Sequence, residues 1–307
     1  MTRIVSLLPS ATEIVCALGA ARELVGISHE CDFPLEIRDR AVLTSSRIDP
    51  HGTSNSIDQA VRGVLQDALS LYAIDEQGLW DARPDVIVTQ DLCEVCAVSL
   101  DDVRAAVARL AQRDDVRIVS LTPTRLGDVL DDVGRVATAI SREGAGAEVR
   151  RRLEARVNAI RGRAATRDVK PRVVSIEWLE SLMLGGTWMP ELIEAAGGVP
   201  VGATAGGPAP TVTLQELAAL EPDVVLVKPC GFTLQRSLEE LPLIQRLAGA
   251  LPRGTRVFLS DGNAFFNRPG PRLVESLEIL SACVHPGEFA DFERKHADVV
   301  LPVERAR

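Results

Sequence analysis

Arg3-Ile4-Val5-Ser6-Leu7 lies near the start of the chain and comes back as Arg117-Ile118-Val119-Ser120-Leu121 and as Arg172-Val173-Val174-Ser175-Ile176. Each is a short β-branched run of the kind that forms a strand buried on both faces. A second phrase, Arg83-Pro84-Asp85-Val86-Ile87-Val88, returns as Glu221-Pro222-Asp223-Val224-Val225-Leu226. Its Pro-Asp ends a helix, and the apolar run that follows reads as a parallel strand. The order and spacing of the two phrases favour two halves built on one plan over chance matching of short apolar words.

The stretch between the halves has a different texture. Val129, Val133, Val136, Ala137 and Ile140 recur at helical spacing, and Val149, Leu153, Val157 and Ile160 continue the pattern past Gly144 and Gly146. That periodicity predicts one long helix, or two in line, rather than a flexible linker. The expected division is an N-terminal α/β lobe over 1–125, a connecting helix over 126–166 and a C-terminal α/β lobe over 167–307. Ser10-Ala11-Thr12-Glu13 and Ser56-Ile57-Asp58-Gln59 read as capping boxes, and Ser99-Leu100-Asp101-Asp102 resembles one. Pro190 and Pro271 suit first helical positions, and Gly197-Gly198 suits a helix end.

Composition agrees with two lobes. The 307 residues exceed one ordinary core and suit two of ~100–150 residues. Lys+Arg total 34 against Asp+Glu 43, a net charge of −9 with no basic run, which argues against a nucleic-acid partner. No apolar segment approaches the ~20 residues that cross a bilayer, so membrane insertion is not expected. The apolar Ile4 to Leu8 is interrupted at once by Pro9 and Ser10, which is no secretory h-region, so the chain reads as cytoplasmic. In that reducing setting six cysteines suggest metal binding, redox chemistry or core packing before disulfides.

The expected strands place chemistry at their carboxyl ends, where open α/β sheets hold ligands. After Leu24 to Ser28 come His29-Glu30-Cys31-Asp32-Phe33-Pro34, and after Val86 to Thr89 come Gln90-Asp91-Leu92-Cys93-Glu94-Val95-Cys96. In the second half Glu177-Trp178, Gly185-Gly186-Thr187-Trp188, Lys228-Pro229-Cys230-Gly231-Phe232 and Asp261-Gly262-Asn263-Ala264-Phe265-Phe266-Asn267-Arg268 take the matching places. Four of the six cysteines and two of the three tryptophans thus fall on one rim, the strongest functional signal in the sequence. Cys16 and Cys283 follow helical apolar spacing and read as core.

Cys31, Cys93, Cys96 and Cys230 could hold a metal ion or Fe-S cluster if their loops converged, although one CxxC alone is a weak zinc signal. A thioredoxin-like role falters, because the next cap, Ser99, leaves the pair outside the helix field. P-loop, GxGxxG and GxSxG patterns are absent, so no catalytic residue is expected and the chain does not read as an enzyme. Trp178, Trp188, Phe232 and Phe266 can cover a broad apolar ligand. Ser10, Gln90 and Asn263 can hydrogen-bond its polar fringe, Arg268 can neutralise an acidic edge, and His29 can reach a bound metal.

The opening run Arg3-Ile4-Val5-Ser6-Leu7-Leu8-Pro9-Ser10-Ala11-Thr12-Glu13, the Pro-Asp-Val strands and the long central helix resemble the cobalamin and iron-siderophore substrate-binding proteins of ABC importers, over nearly the whole chain. Within that family Ser28-His29-Glu30-Cys31-Asp32-Phe33-Pro34, Asp91-Leu92-Cys93-Glu94-Val95-Cys96 and Asp261-Gly262-Asn263-Ala264-Phe265-Phe266 look like the cobalamin-binding branch. The resemblance implies two Rossmann-like lobes with parallel sheets, joined by a long rigid helix, with an interlobe cleft for the ligand. It implies non-catalytic binding of a cobalamin-like corrinoid, another tetrapyrrole or a metal chelate, with Asp32 and Phe33 among the contacts and an ABC permease as a partner. Typical members are exported and do not line the cleft with cysteines. The alternative is an intracellular cysteine-liganded metal or redox protein using the four rim cysteines.

Overall fold

The computed structural model describes residues 1–66, 71–90, 105 and 116–305. It divides into two compact α/β units, the first built mainly from 1–152 and the second mainly from 153–307.

In the first unit β1 (Ile4–Ser6), β2 (Leu24–Ile27) and β3 (Ala41–Val42) are followed by a short antiparallel ribbon of β4 (Thr44–Ser46) and β5 (Tyr72–Ile74). β6 (Val86–Gln90) and β7 (Arg117–Leu121) complete a sheet of order β3-β2-β1-β6-β7, parallel at every pairing. β1 and β6 are buried along their whole length, as continuous β-branched runs require when both faces are covered. Val5, Leu7, Ile87, Leu43 and Leu79 form the core on one face.

The second unit repeats the plan. β8 (Arg172–Trp178), β9 (Met183–Leu184), β10 (Val199–Pro200), β11 (Val224–Val227), β12 (Arg256–Ser260) and β13 (Val300–Pro302) give the order β10-β8-β11-β12-β13, with β9 on β8. The inner pairings are parallel; β13 and β9 add antiparallel edges. The two recurring sequence phrases meet in the same way in both units. Asp85 Oδ2 accepts the Arg3 backbone N–H at 2.8 Å, and Asp223 Oδ2 accepts that of Arg172 at 2.7 Å. The same arginines turn their Nε onto the carbonyls that end the preceding helix, Ala82 in one unit and Leu220 in the other. Arg83 and Glu221, the residues before each Pro-Asp, both sit at positive φ, 43° and 45°.

The segment 126–166 is two helices, Leu126–Ala139 and Glu143–Ala164, and not one. The first ends on a left-handed Ser141 (φ 57°), with Arg142 N–H on the Ala137 carbonyl at 2.8 Å and Ser141 N–H on that of Thr138 at 3.3 Å. This is a Schellman stop, and it reverses the chain before the glycines are reached. The helices then lie against each other: an added Cβ on Gly146 would come within 2.5 Å of the Ala137 Cβ, and Arg150 pairs with Asp131. The longer helix buries Val149, Leu153, Val157 and Ile160, as the spacing predicts.

Two cap readings shift. Pro9 occupies the first turn of helix Pro9–Ala17, so the helix begins at Leu8 without a side-chain cap and Ser10 lies inside it. The next helix begins at Ser54, two residues ahead of Ser56. Pro190 opens helix Met189–Ala195 and Gly197 (φ 83°) closes it as expected, whereas Pro271 stands two residues before helix Leu273–Val284. Ser99 and its neighbours lie outside the described residues. No helix among the described residues is long and apolar enough to cross a membrane.

Candidate functional site

The second unit gathers its expected residues at the carboxyl ends of β8, β11 and β12. Trp178, half-buried at the end of β8, meets the buried Phe232 ring edge-on with centroids 5.3 Å apart. The Arg236 guanidinium lies 4.2 Å from the Phe232 centroid and is paired with Glu240 at 3.2 Å and Glu239 at 3.4 Å. Beside the aromatic pair Lys228 is 1% exposed in its side chain; its Nζ donates to Asn267 Oδ1 at 2.6 Å and to Glu177 Oε2 at 3.2 Å. An ammonium taken out of water costs several kcal/mol unless it is paired and hydrogen-bonded, which explains why both partners are present.

Asn267 also fastens the two loops together, its Nδ2 donating to the Lys228 carbonyl at 3.1 Å and to the Gly262 carbonyl at 2.8 Å. Gly262 is required there, since a Cβ would stand 2.1 Å from the Pro229 carbonyl oxygen. Asp261 Oδ1 accepts the backbone N–H groups of Asn263 and Ala264, at 2.9 and 2.7 Å, and Arg268 donates to Asn263 Oδ1 at 2.9 Å. Trp188 and Phe266 are buried beneath this rim. The Trp188 indole N–H donates to the Phe266 carbonyl at 2.8 Å, and Phe266 N–H donates to Ser276 Oγ at 2.8 Å. Cys230 is half-buried, and its N–H donates to the Glu177 carbonyl at 2.9 Å.

In the first unit His29 follows β2 and is exposed. Thr44 Oγ1 donates to Ser28 Oγ at 3.0 Å, so towards His29 it accepts, from the backbone N–H at 3.0 Å and from Nδ1 at 2.7 Å. That leaves the lone pair on Nε2, the tautomer that ligates metals, with the ring oriented by a hydroxyl behind it. Burial lowers the His29 pKa below its ordinary 6.5 against the pull of Glu30, so the ring is neutral at pH 7. Tyr72 crosses it edge-on at 4.8 Å and donates its hydroxyl to Glu30 Oε1 at 2.5 Å.

Cys31 is buried, with its Sγ 3.0 Å from Thr12 Oγ1, whose hydroxyl donates to Ser6 Oγ at 2.8 Å. Gln90 is buried at the end of β6, Ser10 is buried in its helix with no partner for its hydroxyl among the described residues, Asp32 is half-buried and Phe33 is exposed.

Each unit thus assembles its own share of the expected residues. Cys31 belongs to the first unit and Cys230 to the second, while Cys93 and Cys96 lie outside the described residues. Among the described residues no group of three His, Cys, Asp or Glu side chains could hold a metal ion. Burial pushes the thiols of Cys16 and Cys283 up to about 12, as packing residues rather than reactive ones. Lys228, Glu177 and Asn267 were not among the residues expected to form a site. Their signal was a lysine directly after four apolar residues of a buried strand, a position where an unpaired charge cannot stay.

The sequence profile of the periplasmic binding protein family matches residues 4–248. The Vitamin B12-binding protein of Vibrio parahaemolyticus is 21% identical over 296 residues, covering 95% of this chain and 91% of its own. Among solved structures, a periplasmic heme-binding protein from Pseudomonas aeruginosa superposes with a TM-score of 0.68 at 17% identity, covering 93% of each chain. The periplasmic vitamin B12-binding protein of Vibrio cholerae gives a TM-score of 0.65 at 17% identity over 95% of this chain and 98% of its own.

Proposed function

Because the chain belongs to the periplasmic binding protein family, we propose that it is a non-catalytic binding protein for a metal chelate of the vitamin B12, heme or siderophore kind, and that its ligand is a cobalamin-like corrinoid. The observation that carries the reading is the rim of the second unit. There a half-exposed tryptophan rests on a buried phenylalanine beside fixed polar groups, all at the carboxyl ends of parallel strands. A corrin offers a broad apolar face to Trp178 and a fringe of amides to Asn263, with Trp188 and Phe266 supporting the rim from below. In the first unit, His29 Nε2 would supply an imidazole ligand to a chelated metal. Arg268 and Phe232 complete the contact set proposed for this rim, and Asp32 and Phe33 stay candidates beside His29 in the first unit.

The family implies an ABC permease as partner. Cytoplasmic residence is part of the same proposal. Cell fractionation separates intracellular chelate binding from importer service. The reading that uses rim cysteines draws nothing from Cys31, whose thiol is engaged with the Thr12 hydroxyl.

The test is a titration of purified protein with hydroxocobalamin. The corrin bands shift and the melting temperature rises; Trp178→Ala weakens binding by roughly tenfold or more while leaving the fold intact. Unshifted bands and an unchanged melting temperature at saturating corrinoid overturn the proposal.

A further inference from the structure

We infer that Glu177, held by the buried Lys228, sets which chelate the rim accepts: one edged with neutral amides in preference to one edged with carboxylates. The inference rests on the reading of this rim as the chelate site, and deepens it. Glu177 ends β8 next to Trp178, and its side chain is 25% exposed against 1% for that of Lys228. The ion pair therefore turns its negative pole outward and its positive pole inward. Two of the three ammonium donors are taken, by Glu177 Oε2 and Asn267 Oδ1, and both belong to the protein. Glu177 Oε1 has no hydrogen bond among the described residues, so it stands as a fixed acceptor for an amide N–H.

Neither guanidinium of the rim offsets this charge: Arg268 is buried and donates to Asn263 Oδ1 at 2.9 Å. Arg236 already faces two carboxylates, Glu239 and Glu240. A carboxylate on the ligand's edge would meet Glu177 as a like charge in a partly desolvated setting, the element that excludes a wrong partner. An amide there would donate to it. Tetrapyrrole-type chelates divide along this line: corrinoids carry neutral carboxamides, and porphyrins of the heme type carry ionised propionates.

The experiment compares two probes that differ only in edge charge, hydroxocobalamin and its monocarboxylic acids in which one side-chain amide is hydrolysed. Binding is measured by calorimetry on the full chain, with melting temperatures recorded in parallel. The wild type should favour the parent corrinoid by about tenfold, and Glu177→Gln should bring the two affinities within about twofold of each other. Should removal of one partner unsettle the fold around the buried ammonium, the double variant Glu177→Gln/Lys228→Met removes both charges and carries the same expectation. An undiminished preference in a folded variant, or none in the wild type, overturns the inference while leaving the site. If neither corrinoid binds the wild type, the site reading falls and the inference with it.

Discussion

Glu278 accepts three side-chain hydrogen bonds on one buried carboxylate: from Arg156 at 2.6 Å, Lys295 at 2.6 Å and His296 at 2.8 Å. Burial alone would raise its pKa, but the hydrogen bonds from His296, Lys295 and Arg156 prevail and bring it from the usual 4.5 down to about 2. A carboxyl depressed on folding stabilises the native state fully above its unfolded pKa and loses that contribution as pH falls through the folded one. The wild type should therefore lose about 3 kcal/mol between pH 4.5 and 2 through this group. Denaturant midpoints measured across that window should fall less steeply in Glu278→Gln.

Asp132 shows the opposite sign. It is 1% exposed in its side chain, with Arg135 at 3.2 Å as its ion partner, and burial pushes its pKa up to about 7. The folded state holds a proton there that the unfolded chain releases, so this group erodes stability as pH rises from about 4 towards 7. Asp132→Asn should raise unfolding free energy by ~1–3 kcal/mol at pH 8 and by less at pH 5; an equal gain at both pH values would contradict the assignment.

At the scale of elements, apolar spacing was legible and helix ends were not. The faces Val129/Val133/Val136 and Val149/Leu153/Val157 are buried as their period demands, because burying an amphipathic stripe is a local decision. The stop between them, and the reversal it makes, was not expected. It depends on a left-handed serine, a conformation with little sequence signature outside glycine and asparagine. The glycine at 146 serves contact with Ala137 instead. Gly146→Val should therefore cost about 1–3 kcal/mol in a chemical denaturation series, whereas Gly144→Val, at a position with no atom near an added Cβ, should change stability by no more than about 0.5 kcal/mol, because valine is no poorer a helix former than glycine. Equal losses at the two positions would sink the hairpin reading. Pro9 likewise displaced the expected cap at Ser10, because a proline in the first turn fixes the helix start by its own ring. The repeated phrases were the most informative elements, since Arg3–Asp85 and Arg172–Asp223 perform one fastening twice.

At the scale of the whole molecule, the two-unit α/β plan could be read from those phrases and from the order of strands, and family membership agrees with it. The site was legible only in outline. Strand ends locate a rim, and Trp178, Asn263 and Arg268 stand on it, but burial of Trp188 and Phe266 depends on tertiary packing that spacing does not encode. The Lys228–Glu177–Asn267 group was missed because its members come from three strand ends distant in sequence. Native mass spectrometry of the purified chain mixed with cobalamin shows whether this protein holds a corrinoid. A folded protein carrying one corrinoid per chain, lost in Trp178→Ala, is the predicted spectrum. A folded wild-type chain that stays ligand-free at excess cobalamin would contradict the account.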